Sequence, residues 1–211
     1  MNEDKLTIVS PFGPSIAKVE IPEKILKILN DHVDKVINDE KLHKEFDAGK
    51  SLVGNVGQEI FLSPEIIKKS GWLSFLANAT KAWIKNSLNK EMTKFNVNSS
   101  WVVRQFSNQY NPIHWHSGHI SGAGFLKVPS TFGETFQKNK KNHNGQLVLI
   151  NGQRAFMSDS KFEIKPKVGE FYIFPHYLMH AVYPFRDTDE ERRSISFNAV
   201  IDEKIFNVFV D

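Results

Sequence analysis

NPIHWHSGHISGAGFLKVP, residues 111–129, is the stretch on which the reading of this chain turns. It sets three histidines ahead of a run whose alternation reads as a β-strand. A strand sends successive side chains to opposite faces, so His114 and His116 fall on one face and Trp115 on the other. Two imidazoles on one face can share a metal ion. A third ligand must come from elsewhere, and the second histidine cluster, His176 and His180 in GEFYIFPHYLMHAVYPF, lies far downstream. Zinc-finger ligands lie close together and most are cysteines, whereas this chain has no cysteine. A pair on one strand plus one distant histidine reads as an open catalytic metal site.

Composition bounds the rest. At 211 residues the chain is long enough for one well-buried domain and short for two. One domain over residues 1–211 is expected, with helical support over about 22–95 and a β core over about 101–210. A hydrophobic fraction of 40% with seventeen phenylalanines indicates a real core. The formal charge is only +3, with five arginines and acids interspersed among the lysines, which argues against a nucleic-acid partner. The start, MNEDKLTIVSPF, has no apolar stretch long enough for a signal-peptide core, and no later window approaches a membrane span. With no cysteines to oxidise, a cytoplasmic location is expected. Composition is silent on oligomeric state.

Leu6–Ser10 and Ala17–Ile21 are short apolar runs around Pro-Phe-Gly-Pro, the mark of a small hairpin or two edge strands. From Pro22, Ile25, Leu29, Val33, Val36 and Ile37 recur at helical spacing, predicting an amphipathic helix through Lys41. Asp47–Gly57, with three glycines, reads as a loop. Ser63-Pro64 then supplies an N-cap and a first-turn proline for a second helix. Leu76, Ala79, Trp83, Ile84 and Leu88 carry its apolar stripe, with Gly71 a candidate break. The helical period ends at Phe95–Asn98. Short β-rich runs follow: Trp101–Phe106, Ile113–His116, Ser121–Val128, Gln146–Ile150, Phe162–Ile164, Glu170–Phe174, Met179–Tyr183, Ser194–Ile201 and Ile205–Val210. Many short strands after a helical prelude predict a mainly β fold with flanking helices, a sandwich or barrel. Thr131–Gly145 reads as a solvated loop that could also serve as a flap over an active-site mouth.

A third segment, ERRSISFN at 191–198, completes the pattern. On a strand, Arg192, Ser194, Ser196 and Asn198 share one face and Arg193, Ile195 and Phe197 the other. An arginine and a serine two apart present a planar donor fork and a hydroxyl to a carboxylate, whereas Arg193 reads as a solvent-side charge. A histidine metal centre beside a carboxylate receptor suits a co-substrate that chelates the metal at one end and is anchored at the other. 2-Oxoglutarate is such a molecule. On these residues the chain resembles the 2-oxoglutarate and Fe(II)-dependent oxygenase superfamily, and within it the uncharacterised oxygenases related to the prolyl-hydroxylase type. The resemblance runs from about Trp101 to Ile201. It rests on the combination of His114 and His116, SGAGFL at 121–126, GEFYIFPHYLMH at 169–180, and Arg192–Asn198.

The resemblance implies a double-stranded β-helix (jelly roll, cupin-like) with N-terminal helices packed on one sheet. It also implies His180 as the distal iron ligand, with Arg192 and Ser194 holding the far carboxylate of 2-oxoglutarate. Fe(II) would then be the cofactor and O2 a co-substrate, and a C–H bond of an unidentified substrate would be hydroxylated; a protein or peptide side chain is favoured by analogy. Tyr110 and Arg104, just ahead of the histidines, are candidates to reach the co-substrate, and His119, His176 and Asn198 to support the ligands from behind. His32, His43 and His143 read as ordinary hydrogen-bonded residues.

One departure matters: the usual His-x-Asp or His-x-Glu is absent, because His114 is followed two residues later by His116, and His116 by Gly118. Two accounts are open. In the first, His116 replaces the carboxylate, giving a three-histidine face of His114, His116 and His180; in the second, His116-Ser117-Gly118 is the motif with its carboxylate missing, as in halogenase members, where a halide fills the vacancy. A reading from another class is a non-catalytic, cupin-like metal-binding module using the same histidines.

Overall fold

The alternating, β-branched runs of this chain assemble into two antiparallel sheets that face each other. The structure, a computed structural model, describes residues 13–49, 53–137 and 139–209. In chain order the elements are β1 (Ala17–Glu20), α1 (Glu23–Ile37), α2 (Glu40–Phe46), β2 (Gln58–Phe61), α3 (Pro64–Lys69), α4 (Trp72–Leu88), β3 (Phe95–Gln105), β4 (Asn111–His114) and β5 (Ile120–Lys127). They continue with β6 (Leu147–Ile150), β7 (Lys161–Ile164), β8 (Glu170–Pro175), β9 (Met179–Val182), β10 (Arg192–Ile201) and α5 (Glu203–Phe206). The larger sheet runs β1-β8-β5-β10-β3-β2 and the smaller β4-β9-β6-β7.

Each face of the larger sheet has its own cover. Leu29, Val33 and Val36 of α1 and Trp72, Leu76 and Ile84 of α4 pack on the outer face against Phe171, Ile195 and Phe197. On the inner face Phe125, Tyr172 and Phe174 meet Leu147, Leu149 and Val182 of the smaller sheet. At about 1.5–3 kcal/mol for each large apolar side chain fully buried, the helices are an integral part of the fold. The architecture is the double-stranded β-helix, with helices on one sheet. No helix among the described residues is long and apolar enough to cross a membrane.

The two glycines of SGAGFL have a packing reason. Gly122 and Gly124 turn toward the helix layer, where a Cβ at Gly122 would come within 2.7 Å of the Phe197 ring and 2.8 Å of Phe171. A Cβ at Gly124 would run into the Phe171 ring itself. Only glycine lets both rings lie flat over β5, while Ser121, Ala123 and Phe125 face the interior.

Several boundaries differ from those the sequence suggests. The helix expected through Lys41 ends at Ile37, because Asp39 starts α2 by accepting from the Lys41 and Leu42 N–H groups at 2.9 and 3.1 Å. Gly71, at φ +83°, does break the next helix into α3 and α4, and Ser63 caps α3 as its spacing predicts. Phe95–Asn98, read as the end of the helical period, opens β3. β2, with sequence QEIF, is a strand that no alternation announces. The run from Ile205 begins in helix α5, whose Ile205 and Phe206 N–H groups donate to the Asp202 carbonyl. Ala17–Glu20 is a strand and pairs with β8; Leu6–Ser10 lies outside the described residues.

Candidate metal centre and cavity

β4 and β9 set His114 directly opposite His180, with ring centroids 4.3 Å apart. His116 reaches the same place by another route than alternation. β4 ends at His114, and beyond it the His116 N–H donates to the His176 carbonyl at 3.1 Å while the His176 Nδ1–H donates back to the His116 carbonyl at 3.0 Å. This reciprocal clamp turns the His116 ring inward, parallel to His180, with the two Nε2 atoms 2.9 Å apart. One ring nitrogen from each of His114, His116 and His180 lies within 4.8 Å of the others.

The protonation pattern suits a cation. His114 Nδ1 donates to the Pro112 carbonyl at 2.7 Å and His180 Nδ1 to the Leu178 carbonyl at 2.9 Å. A carbonyl can only accept, so both rings keep their proton on Nδ1 and leave the Nε2 lone pair free. Burial, aided by the neighbouring rings, pushes His116 down to about 3 and His180 down to about 4, and burial also lowers His114. All three are therefore neutral near pH 7, the form that a divalent first-row ion binds. Trp101 packs on His116 at 5.3 Å and Phe174 on His180 at 5.2 Å, which fixes the rings from behind.

The histidines open onto a cavity of about 210 Å³ whose wall includes Arg192, Ser194, Ser196 and Asn198. That is below the roughly 300–1,000 Å³ of clefts for drug-sized ligands and suits a small organic acid. Arg192 is 1% exposed. Its Nη1 donates to Gln105 Oε1 at 2.8 Å and its guanidinium lies 5.1 Å from the centre of the Phe125 ring. Its buried Nε has no partner among the described residues, and burial alone pushes the group down to about 9. A buried guanidinium without a carboxylate costs several kcal/mol, a cost that an anion in the cavity would offset.

The other expected residues divide. Ser194 and Asn198 line the cavity, and Asn198 Oδ1 accepts from Ser121 at 2.8 Å. His176 acts through the clamp on His116. Arg104 is one residue out of step with Val103 and Gln105, so it turns to the helix side and pairs with Glu191 at 2.8 Å. Tyr110 is 41% exposed, bridges through its backbone to Asn55 and does not line the cavity. His119 stacks on Phe206 at 3.8 Å and accepts from the Ile201 N–H. Arg193 is not a solvent-side charge: it is 2% exposed and held by Glu191, Asp34 and Asn30. Reasoning from sequence missed Gln105, Trp101, Asn111 and Glu59. Strand parity with Val103 could have found Gln105 and Trp101, whereas nothing in QEIF marks Glu59 as inward-facing.

Residues 99–198 match the family described as "Putative 2OG-Fe(II) oxygenase". None of the curated protein sequences compared matches the chain. The fold is similar to a prolyl-4-hydroxylase from Pseudomonas putida (TM-score 0.54, 15% identity, covering 87% of this chain and 91% of that one). It is also similar to HygX from Streptomyces hygroscopicus, solved with nickel and 2-oxoglutarate bound (TM-score 0.56, 8% identity, 88% and 82% covered). A third is a Trichoplax adhaerens prolyl hydroxylase in complex with a hypoxia inducible factor peptide fragment (TM-score 0.51, 13% identity, 93% and 87% covered).

Proposed function

We infer that this chain, whose residues 99–198 form the core of a 2-oxoglutarate- and Fe(II)-dependent oxygenase, hydroxylates a C–H bond of a primary substrate with His114, His116 and His180 as its metal ligands. The observation that carries the reading is the pairing of a neutral three-imidazole face with a buried, carboxylate-free Arg192 in one cavity. The first fits a ferrous ion and the second fits the far carboxylate of 2-oxoglutarate. When bound, the ion supplies oxygen activation coupled to decarboxylation of 2-oxoglutarate, so that substrate, O2 and 2-oxoglutarate give hydroxylated product, succinate and CO2.

The chain's own residues do the placing. Pro112 and Leu178 carbonyls hold the His114 and His180 rings with Nε2 inward, and His176 holds His116. Gln105 aims the Arg192 fork, and the Ser194 hydroxyl adds a donor on the same strand face. Val103, Leu147 and Val182 exclude water from the space between them. Three protein ligands leave coordination positions for both co-substrates, and His116 in the carboxylate's place favours the hydroxylase over the halogenase account. A peptide side chain remains the proposed substrate, by likeness to the prolyl hydroxylases alone.

The test is succinate release from 2-oxoglutarate with Fe(II), in the wild type, His116→Ala and His180→Ala. Iron-dependent succinate in the wild type, abolished by His180→Ala and reduced by His116→Ala together with metal affinity, is the expected outcome. Absence of iron-dependent turnover in the wild type with any substrate set would leave only the metal-binding module. Unchanged metal affinity in a His114→Ala variant would instead return the vacant-site account, in which His116 and His180 hold the metal and no carboxylate stands at Gly118.

A further inference from the structure

The oxygenase reading leaves a carboxyl group unused. Glu59 on β2 is the acidic residue lining the cavity and is 3% exposed, and its carboxyl group receives neither a hydrogen bond nor a positive charge from any described residue. It stands opposite Val103, which in turn pairs with Ser194, so it shares the inner face of the larger sheet with the Arg192 side of the cavity. Two strand spacings, roughly 9–10 Å, separate it from Ser194.

Position explains what it could meet. β2 and β4 are end strands of the two sheets, and the segments leading into them are tied by mutual Asn55–Tyr110 backbone bonds of 3.0 and 3.2 Å. Between these edges Gly54 closes over two oxygens. A Cβ at Gly54 would stand 2.7 Å from Glu59 Oε1 and 2.9 Å from Asn111 Oδ1. Asn111 Oδ1 is buried and has no partner among the described residues. Burial, with the negative charge of Asp47 nearby adding to it, pushes the Glu59 carboxyl up to about 7. Converging acceptors of this kind are costly until a donor arrives, and the donor that answers both is a cationic N–H group.

We propose that Glu59 and Asn111 form the recognition subsite for a cationic nitrogen of the primary substrate, an alkylammonium or alkylguanidinium group entering beside His114. The subsite rests on the oxygenase reading for its purpose but not for its existence. It selects, at the edge of the cavity, a substrate whose basic group is anchored while another carbon is presented to the metal centre.

The experiment titrates metal-free full-length protein, at a pH above the Glu59 titration, with n-butylammonium, n-butylguanidinium, 1-butanol and Nα-acetyl-lysine amide, read by calorimetry or by NMR shifts. The wild type should prefer the cations over 1-butanol by at least about tenfold, the size of a buried charge-assisted hydrogen bond. Glu59→Gln should erase the preference, and Asn111→Leu should reduce it. Tighter binding of the lysine amide than of butylammonium would mark a basic side chain of a peptide, and the reverse a free amine. No preference in the wild type, or a preference retained in Glu59→Gln with an unchanged melting temperature, overturns the proposal; the first is what an Asn111 amide turned to donate to Glu59 would give. Failure of the oxygenase reading shows separately, as absent iron-dependent succinate from a protein that still discriminates the cations.

Discussion

Arg192 is the residue whose surroundings make least sense without a ligand. A guanidinium 1% exposed, with one amide acceptor and an aromatic face, is unstable company for a positive charge. Arg192→Ala should therefore weaken 2-oxoglutarate by about tenfold or more, since a charged hydrogen-bond pair is lost, while metal affinity stays as it was. Titration of 2-oxoglutarate and of Ni(II) separately into the variant checks the split, and equal loss of both would mean the site has simply unfolded. Strand parity made Arg192 and Ser194 readable in advance. The same parity misplaced Arg193, because the rule says which face a side chain takes but not whether that face is wet. Here α1 covers it, and Asp34 and Asn30 supply the partners. His116 comes to face His114 and His180 by a route that alternation did not describe: the strand stops before it, and a clamp between backbone and His176 turns its ring inward.

At the level of elements, β5 shows how a packing demand writes itself into sequence. Phe171 and Phe197 occupy the space that side chains at 122 and 124 would fill. Gly124→Val should destabilise the protein by roughly 1–3 kcal/mol through overpacking, read as a lower urea midpoint with an unchanged slope. Ala123→Gly, on the opposite face, should cost less, since it removes one methyl without pushing a ring. Long periodic elements such as α1 and β10 were legible from their apolar spacing. β2 was not, since four residues with both central positions buried carry no period, and its inward Glu59 contradicts the expected character of a buried strand. The helix at Glu203–Phe206 was missed for a related reason, because four residues satisfy either pattern.

For the molecule as a whole, Glu59 makes stability depend on pH in an unusual direction. Its carboxyl titrates near 7 when folded against 4.5 as the reference value. Between those values the folded chain holds a proton that the unfolded chain has lost, so the contribution to stability falls as pH rises. The buried histidines act oppositely, since their lowered values favour the folded form as pH rises toward 6.5. The difference between wild type and Glu59→Gln isolates the first effect: the variant should gain on the wild type steadily from pH 4.5 to 7 in metal-free denaturation curves. A constant difference would place the Glu59 carboxyl in contact with water.

The ion-pair cluster of Arg193, Glu191, Asp34 and Arg104 has a consequence for how the chain can be divided. It ties the helical first half to the strand that bears Arg192, so the segment that carries the family resemblance leans on partners from outside it. Excised at residue 99, that segment would keep every proposed metal ligand, yet leave Arg193 without Asp34 and Asn30 and the outer rings of Phe171 and Phe197 uncovered. The half that bears the histidine cluster and the helices that cover it are thus coupled, which constrains recombination rather than chemistry.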